Sequence, residues 1–162
     1  MTKTKVLLVG ESWVSSATHY KGFDQFGSVT FHLGATPLVD ALKDSEFELD
    51  YMPAHEAVEK LPFTMEGLSQ YKAIILSDIG ANSLLLGANE VVARERDDVE
   101  VLARLPEDEG NHPLLVTGRY GEGRTLVWTS DIGPHWLPNS FVEWPGYARL
   151  WTNVLRWISK AV

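Results

Sequence analysis

The residues best placed for chemistry sit in SDIGPHWLPNSFVEW, where Asp131, His135, Trp136, Glu143 and Trp144 crowd into one short stretch. A carboxylate four residues before an imidazole can orient it, so Asp131 and His135 have the makings of an acid–base pair. A histidine between Pro134 and Trp136 can equally be a hydrogen-bonded structural residue. Two other turns carry a similar polar set: Gly10-Glu11-Ser12 and Ser77-Asp78-Ile79-Gly80. Glu11 directly follows a buried-looking apolar run, so its carboxylate must find partners or water. Asp78 and Asp131 can also be read as caps of the turns that follow them. His19 is a second candidate imidazole.

The catalytic candidates are therefore His135, Asp131 and Glu11. Ser12, His19, Ser77, Asp78, Gly80 and Trp136 are the ligand-binding candidates. Trp13, Trp136, Trp144 and Tyr20 could line an apolar pocket, although tryptophans in a small domain belong first of all to the core. Glu11 or Asp78 with Asp131, His135 and His19 would form a nitrogen and oxygen set suited to a divalent metal, but no short ligand motif is present. The expectation is a site without a cofactor. No G-x-S-x-G elbow exposes Ser12, Ser15, Ser16 or Ser77 as a nucleophile, and the G-x-G-x-x-G fingerprint of a nucleotide site is absent after Val9. With no cysteine among 162 residues, the chain has neither a thiolate nucleophile nor a disulfide.

These turns must be positioned by a sheet. Lys5 to Val9 is a short continuous apolar run, the pattern of a strand covered on both faces, and is expected at the centre. Ala73 to Leu76 is another such run, and Phe47 to Met52 alternates weakly as a third strand. A short helix with Thr36 as N-cap, Pro37 in its first turn and Leu38, Ala41 and Leu42 on one face, and a second at Ala54–Lys60, separate them, which predicts right-handed βαβ crossovers. The segment from Glu11 to Gly34, aromatic and rich in Ser and Gly, reads as an ordered loop with at most short elements. Glu90–Ala93 and Val99–Ala103 are candidate strands. Leu114–Arg119 and Thr125–Ser130 flank Tyr120-Gly121-Glu122-Gly123, a four-residue hairpin loop in which two glycines can take positive φ. Tyr147, Leu150, Trp151, Val154, Leu155 and Ile158 mark one face of a closing helix. If the last strand runs parallel to the first, all three polar turns meet at the carboxyl edge of the sheet, where open α/β sheets bind ligands.

A single domain spanning 1–162 accounts for the whole length. The net charge of -8, with no Lys/Arg cluster, argues against a nucleic-acid partner. No run approaches the roughly 20 apolar residues of a membrane span. A cytoplasmic protein acting on a small molecule is the reading that follows.

VLLVGESWVSSATHYKGFDQF, AIILSDIGANSLLL and GEGRTLVWTSDIGPHW with FVEWPGYARLW resemble the cytoplasmic family related to class I glutamine amidotransferases. The last block is also similar to trehalose-utilisation-type proteins. The resemblance implies a flavodoxin-like, three-layer α/β sandwich of the class I glutamine amidotransferase type, mostly parallel with an antiparallel C-terminal hairpin. It places Ser77 to Gly80 near the superfamily's oxyanion loop and His135 near its histidine loop. Cysteine-dependent glutaminase chemistry does not carry over, because the chain has no cysteine. Relatives carry a further segment that would fall near residues 86–87. The expected function is binding of a small polar metabolite, with acid–base chemistry of a hydrolytic kind. The alternative is a noncatalytic binding or assembly module, a homo-oligomer joined through Trp136, Phe141 and Trp144.

Overall fold

The computed structural model describes residues 2–79, 98–134 and 137–160. Gly80, the candidate strand Glu90–Ala93, the junction at Leu86–Gly87, His135 and Trp136 lie outside them. β1 (Thr4–Gly10) is the hub. It pairs in parallel with β4 (Phe47–Met52) on one side and β5 (Ala73–Ser77) on the other. A strand flanked on both edges and covered on both faces can hold only apolar side chains, and Val6, Leu7, Leu8 and Val9 are each at most 1 % exposed.

The alternation of β1 sorts these four residues between two layers. Val6 and Leu8 meet α1 (Thr36–Leu42) and α5 (Tyr147–Ile158) through Leu38, Leu42, Tyr147, Trp151 and Leu155. Leu7 and Val9 face the opposite side, where α2 (Ala54–Lys60) contributes Ala57. The result is the expected α/β/α sandwich. α3 (Met65–Leu68) and α4 (Asn139–Val142) are single turns on connections.

The C-terminal half forms a separate antiparallel sheet in the order β6 (Val99–Arg104), β7 (Pro113–Tyr120), β8 (Gly123–Trp128). The hairpin between β7 and β8 is tighter than a four-residue loop. Tyr120 pairs with Gly123, so Gly121 and Glu122 alone turn the chain. Gly121, at φ 58, occupies the first central position, where a two-residue turn needs positive φ.

The segment after Glu11 corrects the expectation of a loop. It is a long antiparallel hairpin, β2 (Ser12–Lys21) and β3 (Asp24–Leu33), paired residue for residue from Ser12↔Leu33 to Lys21↔Asp24. Val14, Thr18, Tyr20, Phe26, Val29, Thr30 and Phe31 supply the β-branched and aromatic content of strands, and Gly22, at φ 64, makes the turn. The scattered Ser and Gly masked that periodicity in the sequence.

Truncating a residue sealed in β1 leaves a cavity that its neighbours cannot close. Leu8→Ala is therefore expected to lower unfolding free energy by about 3 kcal/mol, and Ile74→Ala, on the half-open β5, by no more than about 1 kcal/mol. Denaturant melts of the two variants check the contrast, and equal losses would place the hub elsewhere.

Candidate functional site

The carboxyl ends of β1 and β5 are stitched together around Glu11. β1 ends at Gly10 with φ 105, and a Cβ there would collide with the carbonyl oxygen of Ser77 and with Ile79. Glycine is thus required for the two strand ends to touch. Glu11 follows at φ 46, a left-handed conformation that a side chain adopts only when its surroundings hold it there. Hydrogen bonds to other described residues hold it. Its N–H donates to the Ser77 carbonyl at 2.7 Å, and its own carbonyl accepts from Gly34 N–H and from the Tyr51 hydroxyl, each at 2.8 Å. Its carboxylate accepts from Ser77 Oγ at 2.6 Å.

That carboxylate is 2 % exposed. Gly34 makes room for it, since a Cβ at Gly34 would stand 2.9 Å from Glu11 Oε1 and closer still to the Trp13 ring. The negative charge is felt nearby. Burial first, and then the charge of Glu11, push the Tyr51 phenol above its ordinary pKa. Burial likewise raises Tyr147, with Glu11 adding to the shift. Asp78 repeats the left-handed backbone of Glu11, at φ 48, but its side chain is exposed at the rim.

The third polar turn reaches the same edge. Gly133 is buried close to Gly34, whose carbonyl a Cβ at 133 would approach to 3.3 Å. Two bonds pin the loop that leads there: Trp128 Nε1 donates to the Asp131 carbonyl at 2.9 Å, and the Tyr147 hydroxyl donates to the Ile132 carbonyl at 2.6 Å. Asp131 is half-buried. Among the described residues β5 and β8 are not joined by a ladder. A cavity of about 130 Å³ lies between them, with Ser77 and Ser130 at the strand ends and Ile75, Trp128, Trp151 and Leu155 deeper in.

The structure thus brings together Glu11, Ser77 and the Asp131–Gly133 loop. Ser12 lies beside them with its hydroxyl engaged, accepting from the Ala54 N–H at 2.9 Å in place of the side-chain cap that Pro53 cannot give α2. His19 is not brought in. It sits seven residues beyond Ser12 on the exposed hairpin, about 23 Å along an extended strand, where it bonds Ser28 Oγ at 3.0 Å and stacks on Phe26. Tyr20 is carried out on the same arm. Phe141 packs inside the subunit against Trp128 and Tyr147. Among the described residues no three His, Asp or Glu side chains group closely enough to hold a metal ion.

Gly34, Tyr51 and Tyr147 are site-shaping residues that sequence reading passes over. Gly34 and Tyr51 lie 23 and 40 residues from Glu11, and only the close of the hairpin and the β1–β4 register bring them near. The glycine ending an alternating segment was the available signal.

Comparison with known proteins agrees with this fold. The family described as "Putative glutamine amidotransferase" (GATase1-like) matches residues 5–88 and 83–160. Two solved structures from Salmonella typhimurium are similar. The cytoplasmic protein STM3548 is 26% identical with a TM-score of 0.81, the match covering 94% of this chain and 98% of that one. The cytoplasmic protein STM1381 is also 26% identical with a TM-score of 0.81, over 97% and 100% of the two chains. No curated protein matches significantly.

The raised pKa of Tyr147 has a consequence for alkaline stability. A phenol that loses its proton less readily folded than unfolded contributes stability that is fully present below its unfolded pKa of about 10 and is lost as pH rises further. Melting temperatures measured from pH 8 to 11.5 should therefore fall above about pH 10. In Tyr147→Phe, which gives up the bond to Ile132, the melting temperature starts lower and that alkaline fall is shallower.

Proposed function

The chain belongs to the GATase1-like, glutamine amidotransferase-related family, and from that premise we propose that it binds a small polar metabolite at the carboxyl edge of its parallel sheet, around Glu11. The observation that carries this reading is Glu11 itself. A carboxylate withdrawn from water costs several kcal/mol unless it is well partnered, and a left-handed non-glycine residue costs about 1–3 kcal/mol more. A buried carboxylate and a left-handed backbone meet in one residue, at the place where open α/β sheets bind ligands. A fold needs no such residue merely to end a strand.

The chemistry of the edge selects the ligand class. A buried carboxylate bonded to the Ser77 hydroxyl suits amine or amide N–H groups, and the cavity between β5 and β8 leaves room for a few apolar atoms behind a polar head. Ser77 and Asp78 would form the near wall with Gly80 following them, and Ser12 would hold α2 in place beneath it. Asp131 and His135, with Trp136 next in sequence, would supply a titratable pair, the imidazole moving a proton while the carboxylate sets its orientation. Glutaminase chemistry through a thioester is outside the reach of these 162 residues, which include no cysteine.

A cytoplasmic setting is supported by the two Salmonella structures, both named cytoplasmic proteins. Among the described residues no helix is long and apolar enough to cross a membrane. The acidic balance of the chain favours a small molecule over nucleic acid.

A thermal-shift panel of amino acids, primary amides and small amines tests the proposal. At least one compound should raise the melting temperature of the wild type. Glu11→Gln, which keeps the shape and loses the charge, should weaken that compound by about tenfold or more, equivalent to about 1.4 kcal/mol. Asp131→Asn and His135→Ala should abolish any turnover. If no compound of these classes binds, or if Glu11→Gln binds equally well, the reading fails and the noncatalytic module takes its place.

A further inference from the structure

We propose that the β2–β3 hairpin is a dimerisation arm whose apolar face packs on the same face of a second copy of this chain. Residues directly opposite in an antiparallel ladder share a face, so the register Val14↔Phe31, Ser16↔Val29, Thr18↔Gly27, Tyr20↔Gln25 sorts the arm into two different surfaces. On one, cross-strand contacts satisfy the side chains: Trp13 stacks on His32, His19 stacks on Phe26, Ser15 bonds His32 and Ser28 bonds His19. On the other, Val14, Tyr20, Val29, Phe31 and Leu33 are between 46% and 74% exposed, and only at the base of the arm does Phe31 meet the body, edge-on to His55 of α2.

Charge identifies the occupant. Ser12 to Tyr20 and Gln25 to Leu33 contain no Asp, Glu, Lys or Arg, in a chain that carries -8 overall. A charged partner finds nothing to pair with on this surface. Two acidic copies repel each other wherever their bodies approach, so a contact between them is favourable only where charge is absent. The arm is such a place, and its own apolar face is the matching surface.

Area and edges agree with this assignment. The five side chains leave roughly 500 Å² of apolar surface on each copy, at the upper end of what monomeric proteins leave uncovered, and two copies reach the ~1,000 Å² that a specific interface needs. A two-stranded ribbon in water is marginal by itself. Neither outer edge of this one has a ladder partner among the described residues, and apart from Lys21 and Asp24 at the tip neither carries the charges or proline that normally protect an edge. In a two-fold, antiparallel overlay of ten-residue strands, the tip of each arm lands beside the base of the other. Phe23, fully exposed at the tip, then comes to rest near the partner's Ser12 and the partner's Leu33, next to that copy's strand-end site.

Sedimentation equilibrium of the full chain tests the proposal. The wild type is expected at twice the 18.1 kDa of one chain, and Val29→Glu, which sets like charges against each other at the middle of the arm, at the mass of one chain with an unchanged circular dichroism spectrum. The chain has no native cysteine, so Ser16→Cys, opposite Val29 on the same face, gives an independent reading: under mild oxidation it should form an interchain disulfide. A wild type that stays monomeric at every concentration would overturn the proposal, as would a Val29→Glu protein that still dimerises. Should Val29→Glu fail to fold, the Ser16→Cys crosslink decides alone, its absence counting against the arm.

Discussion

The bond from Ser77 Oγ to the Glu11 carboxylate joins two strands that are neighbours in the sheet but 66 residues apart in the chain. Around it the backbone of Glu11 is held from three directions: Ser77 on β5, Gly34 at the end of the hairpin and Tyr51 on β4. A residue locked in this way can carry both a left-handed backbone and a buried charge, because no single rotation relieves either. Removing the Ser77 hydroxyl takes a bond from a carboxylate in a place that water reaches poorly. The edge of the sheet is therefore preorganised, and its cost is met by the packing beneath it.

That packing is supplied by β1. Its four sealed side chains divide between two helical layers, and both layers contribute to the edge above them. α5 carries Tyr147, which holds the Ile132 carbonyl, and α2 begins on the hydroxyl of Ser12. The same short strand that forms the core thus also aims the site. Glu11 has one further effect, since its charge acts on two tyrosines, Tyr51 on β4 and Tyr147 on α5, whose pKa values burial already raises.

The hairpin departs from this economy. It leaves the sheet at Ser12, runs out ten residues, and returns at Leu33 to deliver Gly34 back to Glu11. A shorter connection would bring Gly34 to the same place. The arm's length, its uncharged strands and its one apolar face make sense only if something covers it, and the self-complementary solution is the one that the charge of the chain permits.

Much of this was legible in the order of residues. The KVLLV run announced a central strand, the 3.6-residue spacing of Tyr147, Trp151, Leu155 and Ile158 announced the closing helix, and a carboxylate straight after a buried strand marked Glu11 as unusual. Each of these signals is local, a periodicity or an adjacency that acts over a few residues. The hairpin was less legible, because Ser and Gly at Ser15, Ser16, Gly27 and Ser28 diluted a strand pattern that backbone pairing nonetheless supports. The partners of Glu11 were not legible at all. Gly34, Tyr51 and Ser77 become neighbours only through the β1–β4 and β1–β5 registers and the closing of the hairpin, and His19 left the edge for the same reason. Sequence alone determined the layers and the polar ends of the strands, which follow from hydrophobic period and composition. Tertiary structure alone decided which polar ends meet, because that depends on register between segments that the chain keeps far apart.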